Sequence, residues 1–556
     1  MPKVEVGRRD LLGLAGLDAG LTDADLEERL AYLKAELDAA EGDVLKIELN
    51  DTNRPDLWCV EGIARGLRCL GGGSEMHLAG MPLPEAEVHV DGGLAGIRPF
   101  IAAFTASGWA PGAGGLEALI ATQEKLAASF GRQRKTAAIG FYRLDGISFP
   151  VSYRAADPGT GFVPLGYETV MTMSGILAGT ETGRKYAHLL DGFDRYPLLV
   201  DSAGEVLSFP PVLNSRSTGC LGEDDSEIFC EVTGTDWNTV QLTATILACN
   251  LEDRGAVIRP VRVVYPPEIR DGDGETVTPV LYADTMEVWK SEIGRVLGRY
   301  PGDQAVSRSL DLMDYAECRV DEGTVRGVMP PYRHDGIHGR DMIEDIAIGS
   351  GLDSMEPLLP EEFTVGRPAG VEELGDQVRL VLTGAGCEEL MRPVLSSRER
   401  ISDRSATPGV PVGISNPMTA EYGVVRNTLL PGLLEVEGSS AHAVYPHRMF
   451  EVGEVLLRDD GGTCRTAVLL SVLVCSNEAD FGDAHSVLGA LCHSRELDLG
   501  LSPAADPRFI PGRAAEVRIG GEACGILGEV HPSVLERWGI GRPAAGFEIR
   551  LDALRG

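Results

Sequence analysis

Four carboxylates fall within eleven residues of the stretch Pro330-Pro-Tyr-Arg-His-Asp335-Gly-Ile-His-Gly-Arg-Asp341-Met-Ile-Glu344-Asp345-Ile-Ala-Ile. Asp341, Glu344 and Asp345 are spaced i, i+3 and i+4, so a helix puts them on one face. Asp335 sits just upstream, at the end of an extended run from Val325. Like charges at this spacing repel, and a hard divalent cation such as Mg²⁺ turns that repulsion into binding through oxygen ligands. A second reading is compatible. Asp341 followed three residues later by Glu344 has the form of a helix N-cap and its N3 partner, and acidic residues in a first turn suit the helix dipole.

Two other segments offer polar groups at strand ends. Pro210-Pro-Val-Leu-Asn214-Ser215 and Phe229-Cys-Glu231-Val-Thr233-Gly-Thr235-Asp236 each leave an extended run into a polar turn. Together they could line one pocket, although ordinary turn chemistry accounts for the same residues. Asn53-Arg54-Pro55-Asp56 is either a helix-start device or a binding loop. No Walker A loop, dinucleotide-binding glycine fingerprint, HExxH or GxSxG is present. The residues alone do not reach a reaction.

The elements around these groups are legible in outline. Thr22 precedes an apolar periodicity that predicts a helix, Val44–Leu49 alternates as a strand, and a helix follows from Val60. Gly71-Gly-Gly-Ser and the residues to about 87 read as a linker. Further on, a strand is expected over Lys135–Arg143, a hairpin over Leu199–Ser208, and a helix from Asn238. Thr285–Leu297 reads as a helix, a break follows at Leu358–Glu362, and another helix spans Val371–Ala385. Strands near Met449, Thr466 and Ala515 close the chain. The fold class is α+β multidomain, in four blocks: 1–90, 91–265, 274–360 and 361–556.

At 556 residues the chain is too long for a single core. No apolar run approaches the ~20 residues of a membrane helix. The opening Met-Pro-Lys-Val-Glu-Val does not read as a signal peptide. Eleven cysteines without metal spacing suggest reduced, mostly buried thiols and a cytoplasmic location. The net charge of −34 argues against a nucleic-acid surface spread over the whole chain, but a local basic patch or a partner can carry such contacts.

In these same segments the sequence resembles the beta subunit of phenylalanyl-tRNA synthetase, of the archaeal and eukaryotic type. The likeness covers nearly the whole length in order. Asn53-Arg-Pro-Asp-Leu with Glu61-Gly-Ile-Ala-Arg resembles the family's N-terminal signature. Phe193-Asp-Arg-Tyr-Pro, Ser208-Phe-Pro-Pro-Val-Leu-Asn-Ser and Glu231-Val-Thr-Gly-Thr-Asp resemble its editing region. Pro331-Tyr-Arg through Ile348 resembles its metal-binding domain. Ser415-Asn-Pro-Met, Arg426 and Leu429-Leu-Pro-Gly-Leu resemble the start of its catalytic-like module.

The resemblance implies an N-terminal α/β module, a mixed α/β editing domain, a small winged-helix-like metal domain, and a C-terminal class II synthetase-like antiparallel sheet with helices. It implies assembly with an alpha subunit, as two alpha and two beta chains, for ATP-dependent attachment of phenylalanine to tRNA(Phe). The aminoacylation site would lie on alpha. It implies Mg²⁺ at Asp335, Asp341, Glu344 and Asp345. His334, Gly336, Gly339 and Arg340 depart from the family's flanking residues, which bears on the affinity of that site. It also implies hydrolysis of mischarged Tyr-tRNA(Phe), with Asn214, Ser215, Glu231, Thr233, Thr235 and Asp236 as candidates. Two rivals are a free-standing tRNA-editing or tRNA-binding protein, and a Mg²⁺ phosphohydrolase centred on Asp335–Asp345.

Overall fold

A computed structural model describes residues 3–72, 78–109, 112–270, 274–357, 359, 363–459 and 461–555. Part of the expected linker (residues 73–77) and most of the expected break (Leu358, Pro360, Glu361, Glu362) lie outside the described residues. The chain divides into two compact units, Met1–Leu358 and Leu359–Gly556.

The first unit opens with an antiparallel sheet ordered Lys3–Gly7, Val44–Leu49, Ala35–Glu41. Thr22 caps the helix Asp23–Leu30, its hydroxyl accepting from Asp25 N at 3.2 Å, as its position before the periodic residues predicts. The Asn53–Asp56 turn is a helix start. Pro55–Leu57 forms a single 3₁₀ turn, and Cys59 then caps Val60–Leu70 through Sγ.

A ten-stranded mixed sheet follows. Its path runs Leu213–Asn214, Val206–Phe209, Tyr196–Val200, Val151–Ala156, Ala86–Val90, Val257–Val264, Phe100–Ser107, Glu227–Gly234, Ala138–Arg143, with Glu275–Thr278 branching from Val257–Val264. Strands such as Phe100–Ser107 and Glu227–Gly234 are buried over six or seven consecutive residues. They therefore read as continuous apolar runs rather than as alternation. The helix Trp237–Asp253, with twelve consecutive buried residues, packs against them. The ends of the path face each other: Arg143 N donates to Thr218 O at 2.9 Å and Asn214 Nδ2 to Phe141 O at 3.4 Å.

The last part of this unit carries a small antiparallel sheet (Thr285–Trp289, Thr324–Val328, Ala316–Val320) with helices Lys290–Leu297, Asp303–Leu312 and Gly339–Gly349. The single helix expected over Thr285–Leu297 is corrected here. Thr285–Trp289 is a strand whose Met286 and Val288 alternate inward and pair with Thr324–Val328, and the helix begins only at Lys290. Five residues are too few for periodicity to separate the two states, and cross-strand pairing decides.

The second unit is a seven-stranded sheet ordered Glu388–Glu389, His447–Arg458, Cys464–Cys475, Ala544–Arg550, Glu522–Val530, Phe509–Ile519, Leu499–Pro503. All its pairings are antiparallel except the first. Helices Gly370–Gly384 and Phe481–Ser494 cover one face through Val378, Leu382, Leu488 and Leu491.

Candidate functional site

A cavity of about 410 Å³ opens where the ends of the ten-stranded sheet meet the helix Gly112–Ala128. Most of its wall is apolar, contributed by residues such as Leu119, Ile139, Phe141 and Val212. Its polar groups fall into two sets with different exposure.

The inner set is buried. Glu231 is 3 % exposed and Ser208 2 %. The hydroxyl of Tyr142 donates to Glu231 Oε1 at 2.9 Å, while Glu231 Oε2 has no partner. Ser208 Oγ is likewise buried, next to the Tyr142 hydroxyl but without a hydrogen bond of good geometry. Burial pushes the Glu231 carboxyl up to about 7, against the opposing effects of the Tyr142 hydroxyl and the Arg98 charge. Burial, reinforced by the Glu231 charge, pushes Tyr142 well above its ordinary value. Gly140, opposite Glu231 in the neighbouring strand, makes room for this pair. A Cβ there would lie 2.3 Å from Tyr142 Oη and 2.5 Å from Glu231 Oε1.

The outer set reaches solvent. Arg134 Nη2 bonds Glu124 Oε1 at 2.9 Å, and Nη1 donates to the carbonyls of Pro211 (3.2 Å) and Val212 (3.1 Å). The guanidinium also lies over the Tyr186 ring, 4.4 Å from its centre. Arg132, Gln133 and Arg134 are three successive non-glycine residues in the left-handed region, with φ of 48°, 56° and 64°. Such residues cost roughly 1–2 kcal/mol each. Arg98 holds this turn from beneath by donating to the Arg134 carbonyl at 2.9 Å and the Lys135 carbonyl at 3.1 Å. Buried among neutral acceptors, Arg98 is pushed down to about 10 by desolvation.

Of the six candidates, the cavity brings together Asn214 and Glu231. Thr233 is fully buried and accepts from Arg98 Nε at 3.1 Å. Ser215 shares hydroxyl bonds with Ser217 (3.0 Å) and Thr218 (3.2 Å). Thr235 is exposed and donates to the Lys135 carbonyl, and Asp236 caps Trp237–Asp253 by accepting from Thr239 N at 2.8 Å. Ser208, Tyr142, Gln123, Glu124 and Arg134 join the cavity without being candidates from sequence. Ser208 opens the stretch Ser208-Phe-Pro-Pro-Val-Leu-Asn-Ser and Arg134 lies in the basic turn Gly131-Arg-Gln-Arg-Lys, whereas Tyr142, Gln123 and Glu124 leave no sequence signal.

The four acidic residues are placed differently. Arg333 donates to both oxygens of Asp335 (3.0 and 2.7 Å) and to Asp345 Oδ2 (2.9 Å), which also accepts from Tyr315 at 2.9 Å. Burial opposes ionisation of Asp335, but the bond and charge of Arg333, helped by Arg54, outweigh it and hold the carboxyl at about 2. Glu344 pairs with Lys34 at 2.6 Å. Asp341 Oδ2 accepts from Ile337 N (2.7 Å) and His338 N (2.8 Å). The cap itself is His338 and Asp341 is its N3 partner, so the capping frame lies three residues upstream of the one expected. Among the described residues no group of three or more His, Cys, Asp or Glu is arranged to hold a metal ion. As placed, both oxygens of Asp335 and one oxygen each of Asp341, Glu344 and Asp345 are held by protein cations, a tyrosine hydroxyl or backbone N–H groups.

The family description "Phenylalanyl tRNA synthetase beta chain CLM domain" matches residues 356–551. The phenylalanine–tRNA ligase beta subunit of Thermococcus gammatolerans is 36% identical over 575 residues, covering 100% of this chain and 99% of that one. The beta subunit of Treponema pallidum is 38% identical over 92% of this chain and 87% of that one. The chain belongs to the phenylalanine–tRNA ligase beta-subunit family. As a member it is a subunit of an aminoacyl-tRNA synthetase, a ligase of protein biosynthesis. The family's solved structures include an N-terminal fragment of the Pyrococcus horikoshii phenylalanyl-tRNA synthetase beta subunit. That fragment is similar at TM-score 0.59 and 37% identity, over 63% of this chain and 100% of that one. Among the described residues, no helix is long and apolar enough to cross a membrane.

Proposed function

We propose that this chain assembles with an alpha subunit, as two alpha and two beta chains in the cytoplasm. The assembly attaches phenylalanine to tRNA(Phe) with ATP at a site on alpha, and the cavity hydrolyses Tyr-tRNA(Phe). The buried Glu231–Tyr142 pair with its unbonded Oε2 carries the proofreading reading. A synthetase pocket for phenylalanine rejects a competitor that merely adds a hydroxyl by only ~10²-fold, whereas a site built to hydrogen-bond that hydroxyl rejects the analogue lacking it far more strongly. The apolar wall accepts the aromatic ring. Glu231 Oε2 and Ser208 Oγ are left to meet the phenol hydroxyl, which relieves two buried polar atoms. Phenylalanine would leave both unsatisfied.

The outer set then faces the ester. Arg134 polarises the ester carbonyl, and Glu124 with Asn214 orients a water. The water oxygen adds to the carbonyl carbon, Glu124 takes its proton, and the bond to the terminal ribose oxygen breaks. That oxygen recovers the proton, releasing tyrosine and tRNA. Arg134→Ala is expected to lower kcat for Tyr-tRNA(Phe) by about 10²-fold, in line with the loss of a preorganised charge donor.

The seven-stranded sheet supports a class II synthetase-like C-terminal block, and the small sheet with three helices supports a winged-helix-like block over 274–360. Mg²⁺ at Asp335, Asp341, Glu344 and Asp345 rests on donor chemistry alone. It requires Lys34 and Arg333 to release Glu344 and Asp345. The assembly is tested by co-expression with the candidate alpha chain. Charging of tRNA(Phe) should need both chains, and charging by alpha alone at the full rate would refute the reading.

A further inference from the structure

The second unit holds a cavity of its own, about 150 Å³, lined by Arg392, Ser396, Arg400, Tyr422, Arg426 and Glu435 among others. Three guanidinium groups face one carboxylate on this wall, in a chain whose net charge is −34. Glu435 is shared between Arg392 and Arg400, the latter at 3.2 Å. Arg426 is buried and fixed from behind by Glu451 at 2.7 Å and the Glu454 carbonyl at 2.9 Å. Counting Glu451, the site still carries an excess positive charge.

Three guanidinium groups stand against two carboxylates here. Arg392 Nε is buried with no partner, and so, on the side of Gly432, is Glu451 Oε2. Among the described residues, the two Nη nitrogens of Arg400 and the hydroxyls of Tyr422 and Ser396 have no protein partner, and Arg400 and Tyr422 reach solvent at the mouth. A buried orphan donor costs about 1–3 kcal/mol unless something occupies the space in front of it. The backbone supplies an independent sign. Arg400 sits on a π-helical turn, Glu399–Arg404. Such turns are rare and concentrate at functional positions.

We propose that this cavity binds a small free oxyanion of the phosphate class. Arginine forks match tetrahedral oxyanions and outcompete ammonium groups for them. The volume equals about five waters at ~30 Å³ each, enough for one such ion with its hydration but not for a nucleotide.

The test titrates the full chain with inorganic phosphate at constant ionic strength, by calorimetry and ³¹P NMR. Saturable one-to-one binding is expected, with AMP no tighter than phosphate. Arg400→Gln should weaken it about tenfold or more, the loss of charge-assisted bonds. Tyr422→Phe, at the exposed rim, should weaken it roughly two- to fivefold. Arg465→Gln, on an exposed strand position, should leave it unchanged. Absence of saturable binding overturns the proposal, as does equal weakening by Arg465→Gln or AMP binding far tighter than phosphate. If Arg400→Gln does not fold, the Tyr422→Phe result decides.

Discussion

Two carboxylate sites in the first unit are built on opposite plans. In the acidic stretch every carboxylate already has a protein partner: Asp335 and Asp345 pair with Arg333, Glu344 pairs with Lys34, and Asp341 accepts from two backbone N–H groups. In the cavity, Glu231 has a single neutral partner and one unbonded oxygen. The same chemical group is held at about 2 in one place and pushed up to about 7 in the other. The stretch that is richest in acids is paired with protein groups, and the buried Glu231 is left with capacity for a ligand.

The largest effect that could break this contrast is on stability. Arg333→Ala leaves Asp335 and Asp345 buried without their cation and should destabilise the first unit by about 3–5 kcal/mol, read by chemical denaturation. A loss under 1 kcal/mol would show that the pairs are not structural. Next comes pH. The Glu231 carboxyl is raised in the folded state, so its stability is fully present below 4.5 and is lost as pH rises through about 7. Glu231→Gln should remove that slope, on the order of 3 kcal/mol. Asp335 has the opposite sign. Its contribution is present above about 4 and is lost as pH falls towards about 2.

Smaller still, Asp236→Ala removes a helix cap and should cost about 1 kcal/mol of stability while Tyr-tRNA(Phe) deacylation stays at the full rate. Smallest of all, EDTA or added Mg²⁺ should leave the melting midpoint of the isolated chain unchanged as long as Arg333 and Lys34 keep their hold on Asp335, Asp345 and Glu344. A rise of several degrees with Mg²⁺ would favour the metal reading instead.

The fold was largely legible where periodicity or caps are local, as at Thr22, Val44–Leu49 and Val60–Leu70. It failed at Thr285–Trp289, where pairing with Thr324–Val328 overrides a short ambiguous pattern. For the site, Asn214 and Glu231 could be named because they fall in stretches that resemble the editing region and run into polar turns, although Glu231 itself lies mid-strand. Tyr142, in the apolar strand Ala138–Arg143, leaves no such sign, and Ser208, which opens one of those stretches, acquires its role only when the sheet ends meet. The acidic cluster drew attention by its density. Nothing in its spacing reveals that Arg333, two residues from Asp335, and Lys34, some 310 positions away, already hold its oxygens.

The most direct test compares hydrolysis of Tyr-tRNA(Phe) and Phe-tRNA(Phe) by the assembled enzyme carrying intact chain or Glu231→Ala. The intact chain should hydrolyse the tyrosyl ester about 10²-fold or more faster than the phenylalanyl ester, and Glu231→Ala should erase that preference while charging continues. An unchanged preference in Glu231→Ala would contradict the account.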